Sequence, residues 1–155
     1  MSMGTWIELL GKSQDDPQVQ AAITAAGVKK IPKRDTDDFS VIFELKGHHL
    51  WLEMTDEAYY KDLPDQDIGE GPLILTSVEA VLSHRKKKCG YQGTLPLGIA
   101  TGMTRDDVRH VLGRPSTVVD DGPADIWLRD GLKVDATYTE ALNLQTLALT
   151  LPSAT

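Results

Sequence analysis

Residues 102 to 116 read GMTRDDVRHVLGRPS, and this stretch decides how the rest of the chain is parsed. Thr104 is a strong N-cap, and Asp107, three residues on, can return a hydrogen bond to close a capping box. Asp106 and Asp107 also sit where the helix dipole favours negative charge. Val108, Val111 and Leu112 recur at spacings of three and four and predict one apolar stripe, while Gly113 takes the left-handed C-terminal position and Pro115 forbids continuation. A helix of about nine residues is not stable alone in water. It must pack on another element.

The residues that follow supply one. ADIWLR (124–129), LKVDATYT (132–139) and NLQTLALTL (143–151) alternate or run apolar, with a tight hairpin turn at Arg129, Asp130 and Gly131. The first half repeats this grammar. Asp16 caps a helix, Pro17 takes its first position, Val19, Ala22, Ile23 and Ala26 form the stripe, and Gly27 ends it. Strands are predicted at 40–46, 48–55 and 73–82, the first two turning at Lys46 and Gly47. A short helix over TWIELLGK precedes them, and the opening MSMG is given no structural weight. The reading is an α+β fold of two similar helix-plus-antiparallel-sheet halves, residues 1–83 and 103–155, joined by a turn-rich linker at 84–102. IFELKGHHLWLEM and IWLRDGLKVDATY share one strand, turn, strand pattern, so a degenerate internal duplication packed as one unit is expected.

The chain has 155 residues, 23 acidic against 16 basic side chains and a formal net charge of −7, a balance that repels nucleic-acid and membrane phosphates and favours a basic partner. Cys89 is the only cysteine, so no disulfide forms within the chain. No apolar run is long enough for a membrane span and no leader pattern opens the sequence, so a cytoplasmic protein is expected.

No catalytic, cofactor or metal motif emerges. Cys89 follows His84 and the basic run at 85–88 without a supporting pattern, and His48, His49, His84 and His110 lack metal-ligand spacing. The glycines of GEGP at 69–72 open no phosphate-binding helix. Two features stand out instead. The segment DEAYYKDLPDQDIGEG, 56–71, sets Asp56, Glu57, Asp62, Asp65, Asp67 and Glu70 against Lys61 and adds Tyr59 and Tyr60, a contact composition on a long loop. Asp35, Asp37, Asp38, Asp120, Asp121 and Asp125 add charge at other strand entrances. The second feature is the outer sheet face. With Val41, Phe43, Leu45, Leu50, Leu52 and Met54 inward, Ile42, Glu44, His49, Trp51 and Glu53 point outward, and Trp127 and Arg129 join them if Ile126 and Leu128 are buried. Aromatics among charges make a hot-spot surface for another protein, or for a homodimer mate.

GMTRDDVRHVLGRPS resembles the helix-opening signature of the SmpA/OmlA outer-membrane assembly lipoproteins, whose two helices pack on a short antiparallel sheet, and the duplicated layout is similar to that of β-lactamase-inhibitor-protein-like folds. YQGTLPLGIATGMTRDDVRHVLGRPS and the strand-rich tail look like the C-terminal half of small bacterial immunity proteins encoded beside polymorphic toxins, including those of type VI secretion systems. The resemblance covers 91–151 directly and 1–82 through the repeat. The lipoproteins' signal peptide and acylated cysteine have no counterpart here, so their envelope role does not carry over. What the resemblance implies is a cytoplasmic inhibitor that occludes a cognate toxin or effector with a basic surface. An intracellular adaptor or dimerising module is the alternative, and a small carboxylate-dependent hydrolase the third.

Overall fold

Short turns between alternating strands leave each strand beside its predecessor, so both halves of the chain form antiparallel meanders. The computed structural model describes residues 2–33, 39–83 and 90–152. Asp35, Asp37, Asp38, His84, the run at 85–88 and Cys89 lie outside them. In chain order the elements are α1 (Met3–Glu8), α2 (Pro17–Ala25), β1 (Ser40–Leu45), β2 (Leu50–Asp56), α3 (Glu57–Lys61), β3 (Leu73–Val81), α4 (Arg105–Leu112), β4 (Thr117–Val119), β5 (Ala124–Arg129), β6 (Leu132–Tyr138) and β7 (Leu144–Thr150). The seven strands form one sheet in the order β1-β2-β3-β7-β6-β5-β4, every neighbouring pair antiparallel, which makes this a mixed α+β fold. The two meanders join where β3 pairs with β7, from Ser77 opposite Thr150 to Val81 opposite Thr146. The sheet is therefore continuous.

One face of it is covered. The stripe of α2 is buried as its spacing predicts, with Asp16 accepting a hydrogen bond from the Gln18 N–H at 2.8 Å. The capping box of α4 is complete: the Asp107 N–H donates to Thr104 Oγ1 at 3.2 Å, and the Thr104 N–H to Asp107 Oδ2 at 3.0 Å. Its buried side differs from the predicted one, because Val111 is 37 % exposed and Arg105 joins Val108 and Leu112 inside. The i, i+3, i+7 spacing of those three is as helical as the predicted set, and the cluster described below explains why an arginine occupies it.

Three other expectations are corrected. The opening residues are structural: Ser2 caps α1, Met3 and Trp6 are fully buried, and the Met3 N–H donates to the Tyr91 hydroxyl at 2.8 Å. Burying a large apolar side chain contributes about 1.5–3 kcal/mol, so this end of the chain anchors the fold. The segment after residue 90 supplies Tyr91, Leu95 and Ile99 to the same core. At Gly90 a Cβ would stand 2.2 Å from the Leu82 carbonyl oxygen, so only glycine fits the chain's return to the sheet.

Trp127 is the third correction. It is 3 % exposed, whereas Leu128 is 69 % exposed and Ile126 half-buried, so β5 shows the helix side the face assigned to solvent. The hairpin register is the cause. Asp130 and Gly131 both take positive φ, 53° and 76°, as a two-residue turn of this hand requires, and they set Trp127 opposite Val134 and Asp125 opposite Ala136. Val134, Ala136 and Tyr138 are all buried, so their partners must be too. The Trp127 indole N–H donates to the Gly113 carbonyl at 3.1 Å, locking the end of α4 over the sheet. Arg129 shares the face of Trp127 rather than the open one, and reaches solvent only because the strand ends there.

Candidate functional site

The opposite face of the sheet presents its side chains in register. One row crosses all seven strands: Glu44, Trp51, Glu79, Ala148, Asp135, Ile126 and Thr117. The next runs Ile42, Glu53, Ser77, Thr150, Lys133 and Leu128. Ile42 is 61 % exposed, Leu128 69 % and Trp51 36 %, which places large apolar groups on solvent at both flanks. Between them stand Glu44, Glu53, Glu79 and Asp135, with Lys133 the one cation of these two rows. Glu79 and Asp135 flank the small Ala148 of the central strand, about 10 Å apart by strand spacing. Burial first, and then the charge of Asp135, push the Glu79 carboxyl above its ordinary range; burial raises Asp135 as well, partly offset by Lys133. Both carboxylates would be relieved by an incoming cation.

The acidic segment closes one corner of this face. Asp56 ends β2 and caps α3, a five-residue helix where a loop was expected, supported by the Glu57 to Lys61 ion pair at 3.7 Å. Asp56 is fully buried, accepting from the Tyr59 N–H at 3.2 Å and the Gly69 N–H at 3.0 Å, so it ties the loop shut instead of meeting a partner. Tyr59 stacks on Phe39 with ring centroids 4.2 Å apart, and the Tyr60 hydroxyl donates to the Pro152 carbonyl at 3.2 Å. These contacts stiffen the segment. Asp62, Asp65, Asp67 and Glu70 remain exposed on its outer side. Beneath it a cleft of about 580 Å³ opens between loop and sheet, reaching Glu53, Thr55, Thr76 and Thr150.

A second charged cluster lies inside the molecule. Asp125 is fully buried under α4 and accepts from Arg109 Nε and Nη2 at 2.8 and 2.7 Å, from Arg105 Nη2 at 2.9 Å and from the Tyr138 hydroxyl at 3.0 Å. Arg105 also lies over the Tyr138 ring at 5.4 Å, and its Nη2 donates to the carbonyls of Val119 and Ala124. Burial by itself would raise the Asp125 carboxyl, but the hydrogen bonds from Arg109, Arg105 and Tyr138 outweigh it and hold the group at about 2. Burial and the neighbouring Asp125 push the Tyr138 hydroxyl up. Every group here is satisfied by another, which is the arrangement of a staple. The sequence held a signal for it. Arg105 and Arg109 stand four residues apart on one side of a capped helix, and arginines that turn toward a core demand an inward acid.

Among the described residues, no three His, Cys, Asp or Glu side chains stand together so as to hold a metal ion. No described helix is long and apolar enough to cross a membrane. The chain's open face, acidic corner and cleft thus offer a surface of acceptors and apolar groups.

No protein-family model matches the chain, and a search of characterised proteins returns no relative. Among solved structures, that of a DUF4309 family protein (YjgB) from Bacillus subtilis subsp. subtilis str. 168 is similar over 96 % of this chain and 92 % of that one, at a TM-score of 0.47 and 10 % identity. A likeness of that degree assigns neither ligand nor activity.

Proposed function

We propose that the protein is a non-catalytic inhibitor that binds another protein, an immunity protein covering the basic active-site surface of a cognate bacterial toxin. One observation carries this reading: the open sheet face sets exposed apolar side chains around four carboxylates and a single lysine. A surface of that kind favours a basic partner and steers its approach, because the carboxylates occupy positions where such a toxin holds phosphates. The exposed acids of the 62–70 loop extend the same field. The strand order, with the last strand of each meander at the centre, is consistent with a degenerate duplication of one helix-and-meander unit.

Two alternatives fit less well. A two-fold homodimer built on this face would set its central carboxylates against their own copies, a like-charge contact that opposes association. A carboxylate-dependent hydrolase needs a partly buried acid and base, whereas the loop carboxylates at the cleft, Asp62 and Asp67, are both exposed. Co-expression with the product of the adjacent gene tests the proposal. A stoichiometric complex that dissociates on raising salt, and a neighbour that kills cells lacking this chain, are the expected results. A neighbour that neither binds nor kills removes the toxin reading.

A further inference from the structure

The cleft beneath the acidic segment differs from the open face in being concave. Its floor is the end of the sheet, where Thr55 and Thr76 are 7 % and 3 % exposed and their hydroxyls bond to each other at 2.8 Å. The Thr76 hydroxyl also lies 3.2 Å from the Glu53 carbonyl and 3.5 Å from its carboxylate. The Thr hydroxyl hydrogens are therefore engaged within the floor, and the Glu53 carboxylate keeps most of its acceptor capacity. Leu63, Ile68 and Leu151 provide apolar wall, while Asp62 and Asp67 add carboxylates; among the described residues no Lys, Arg or His lines the space. Acceptors are in excess, and the ligand must bring donors.

A further observation narrows its chemistry. The carboxylates do not gather closely enough to form a metal site among the described residues, so the fit is to an extended organic cation with an apolar stem. A lysine or arginine side chain supplies both features, and a volume of about 580 Å³ accommodates one such residue with its flanking peptide groups.

We propose that this cleft receives a single lysine or arginine side chain of the partner, the carboxylates taking its charged head and the leucine and isoleucine walls its methylenes. This rests on the basic-partner reading above and deepens it, by turning a diffuse field into one anchor pocket next to Trp51. The probe is acetyl-Gly-Arg-Gly-amide, with the Lys peptide alongside and the citrulline peptide, isosteric but uncharged, as control. Titration into the isotopically labelled full chain is followed by NMR. Saturable shifts of the Glu53, Thr55 and Gln66 amides are expected, about fivefold weaker with citrulline and about as much weaker for Asp67→Asn and Glu53→Gln. Asp67 is exposed, so its variant keeps the fold. Equal shifts from the citrulline peptide, or no shift in the cleft at all, overturn the pocket. Shifts confined to Trp51 and Glu79 overturn it too but leave the open face as a binding surface for basic partners, so the two failures are distinguishable.

Discussion

The molecule keeps its carboxylates in two contrasting settings. Asp125 is fully buried and shared by Arg105, Arg109 and Tyr138, whereas Glu44, Glu53, Glu79 and Asp135 lie across the open face with Lys133 as their one in-register cation. An acid of one charge thus does opposite things. Inside, each lone pair is spoken for and the group fastens α4 to β5 and β6. Outside, only Lys133 offsets the charge, and the free protein gains little from the rest. A surface that costs a folded chain something is what a binding partner can relieve.

The sharpest way to break this contrast is Asp125→Ala. The buried Arg105 and the part-buried Arg109 would lose their shared acid, and removing one partner of a buried ion cluster costs about 3–5 kcal/mol. Urea denaturation should show that loss; a shift under about 1 kcal/mol would mean the arginines find solvent and the staple is ornamental. Acid titration gives the next effect. The Asp125 value lies below its ordinary 3.8, so the unfolded chain binds this proton first, and the group's contribution is complete above about pH 4 and disappears as pH falls through about 2. The step should be worth about 2 kcal/mol and be missing in Asp125→Asn.

On the open face, charge reversal at Glu79→Lys should weaken the partner complex by about tenfold while leaving the unfolding midpoint near that of the parent. Unchanged binding would move the interface elsewhere. The smallest effect has the opposite sign to the first. Glu79 and Asp135 are raised, so the folded protein takes up their protons first and stability falls as pH rises through those raised values. At neutral pH the repulsion is fully present. Glu79→Gln should therefore stabilise the free protein, by about 0.5 kcal/mol, and calorimetry at pH 7 would detect it. Destabilisation would show that Glu79 is a structural residue.

Much of this was legible from sequence, for local reasons. The α4 cap, the Asp16–Pro17 start of α2 and the strand bounds of β1, β3, β5, β6 and β7 fall within a residue or so of their predicted places. The outward set Ile42, Glu44, Trp51 and Glu53 follows from strict alternation in β1 and β2. Trp127 was misplaced because Ile126 and Leu128 are apolar too, so β5 has no pattern of its own. Its partner β6 does, and counting across the Asp130–Gly131 turn from Val134 to Trp127 recovers the correct face. Asp56 looked like one more exposed acid of its loop, since no residue pattern marks a carboxylate that will cap a helix and also bind Gly69 across the loop.

The sequence alone determined where α2 and α4 begin, where the hairpins turn and three strands in each half, though not the short α3 and β4, because caps, positive-φ turns and alternation are settled by atoms a few residues apart. Only the tertiary structure decided that β3 pairs with β7 to make one sheet, that Asp125 meets Arg105 and Arg109, and that the acidic segment roofs a cleft at one end of the open face. Those outcomes join residues distant in the chain. Their geometry is chosen by how the whole core packs, and no short window of sequence contains it.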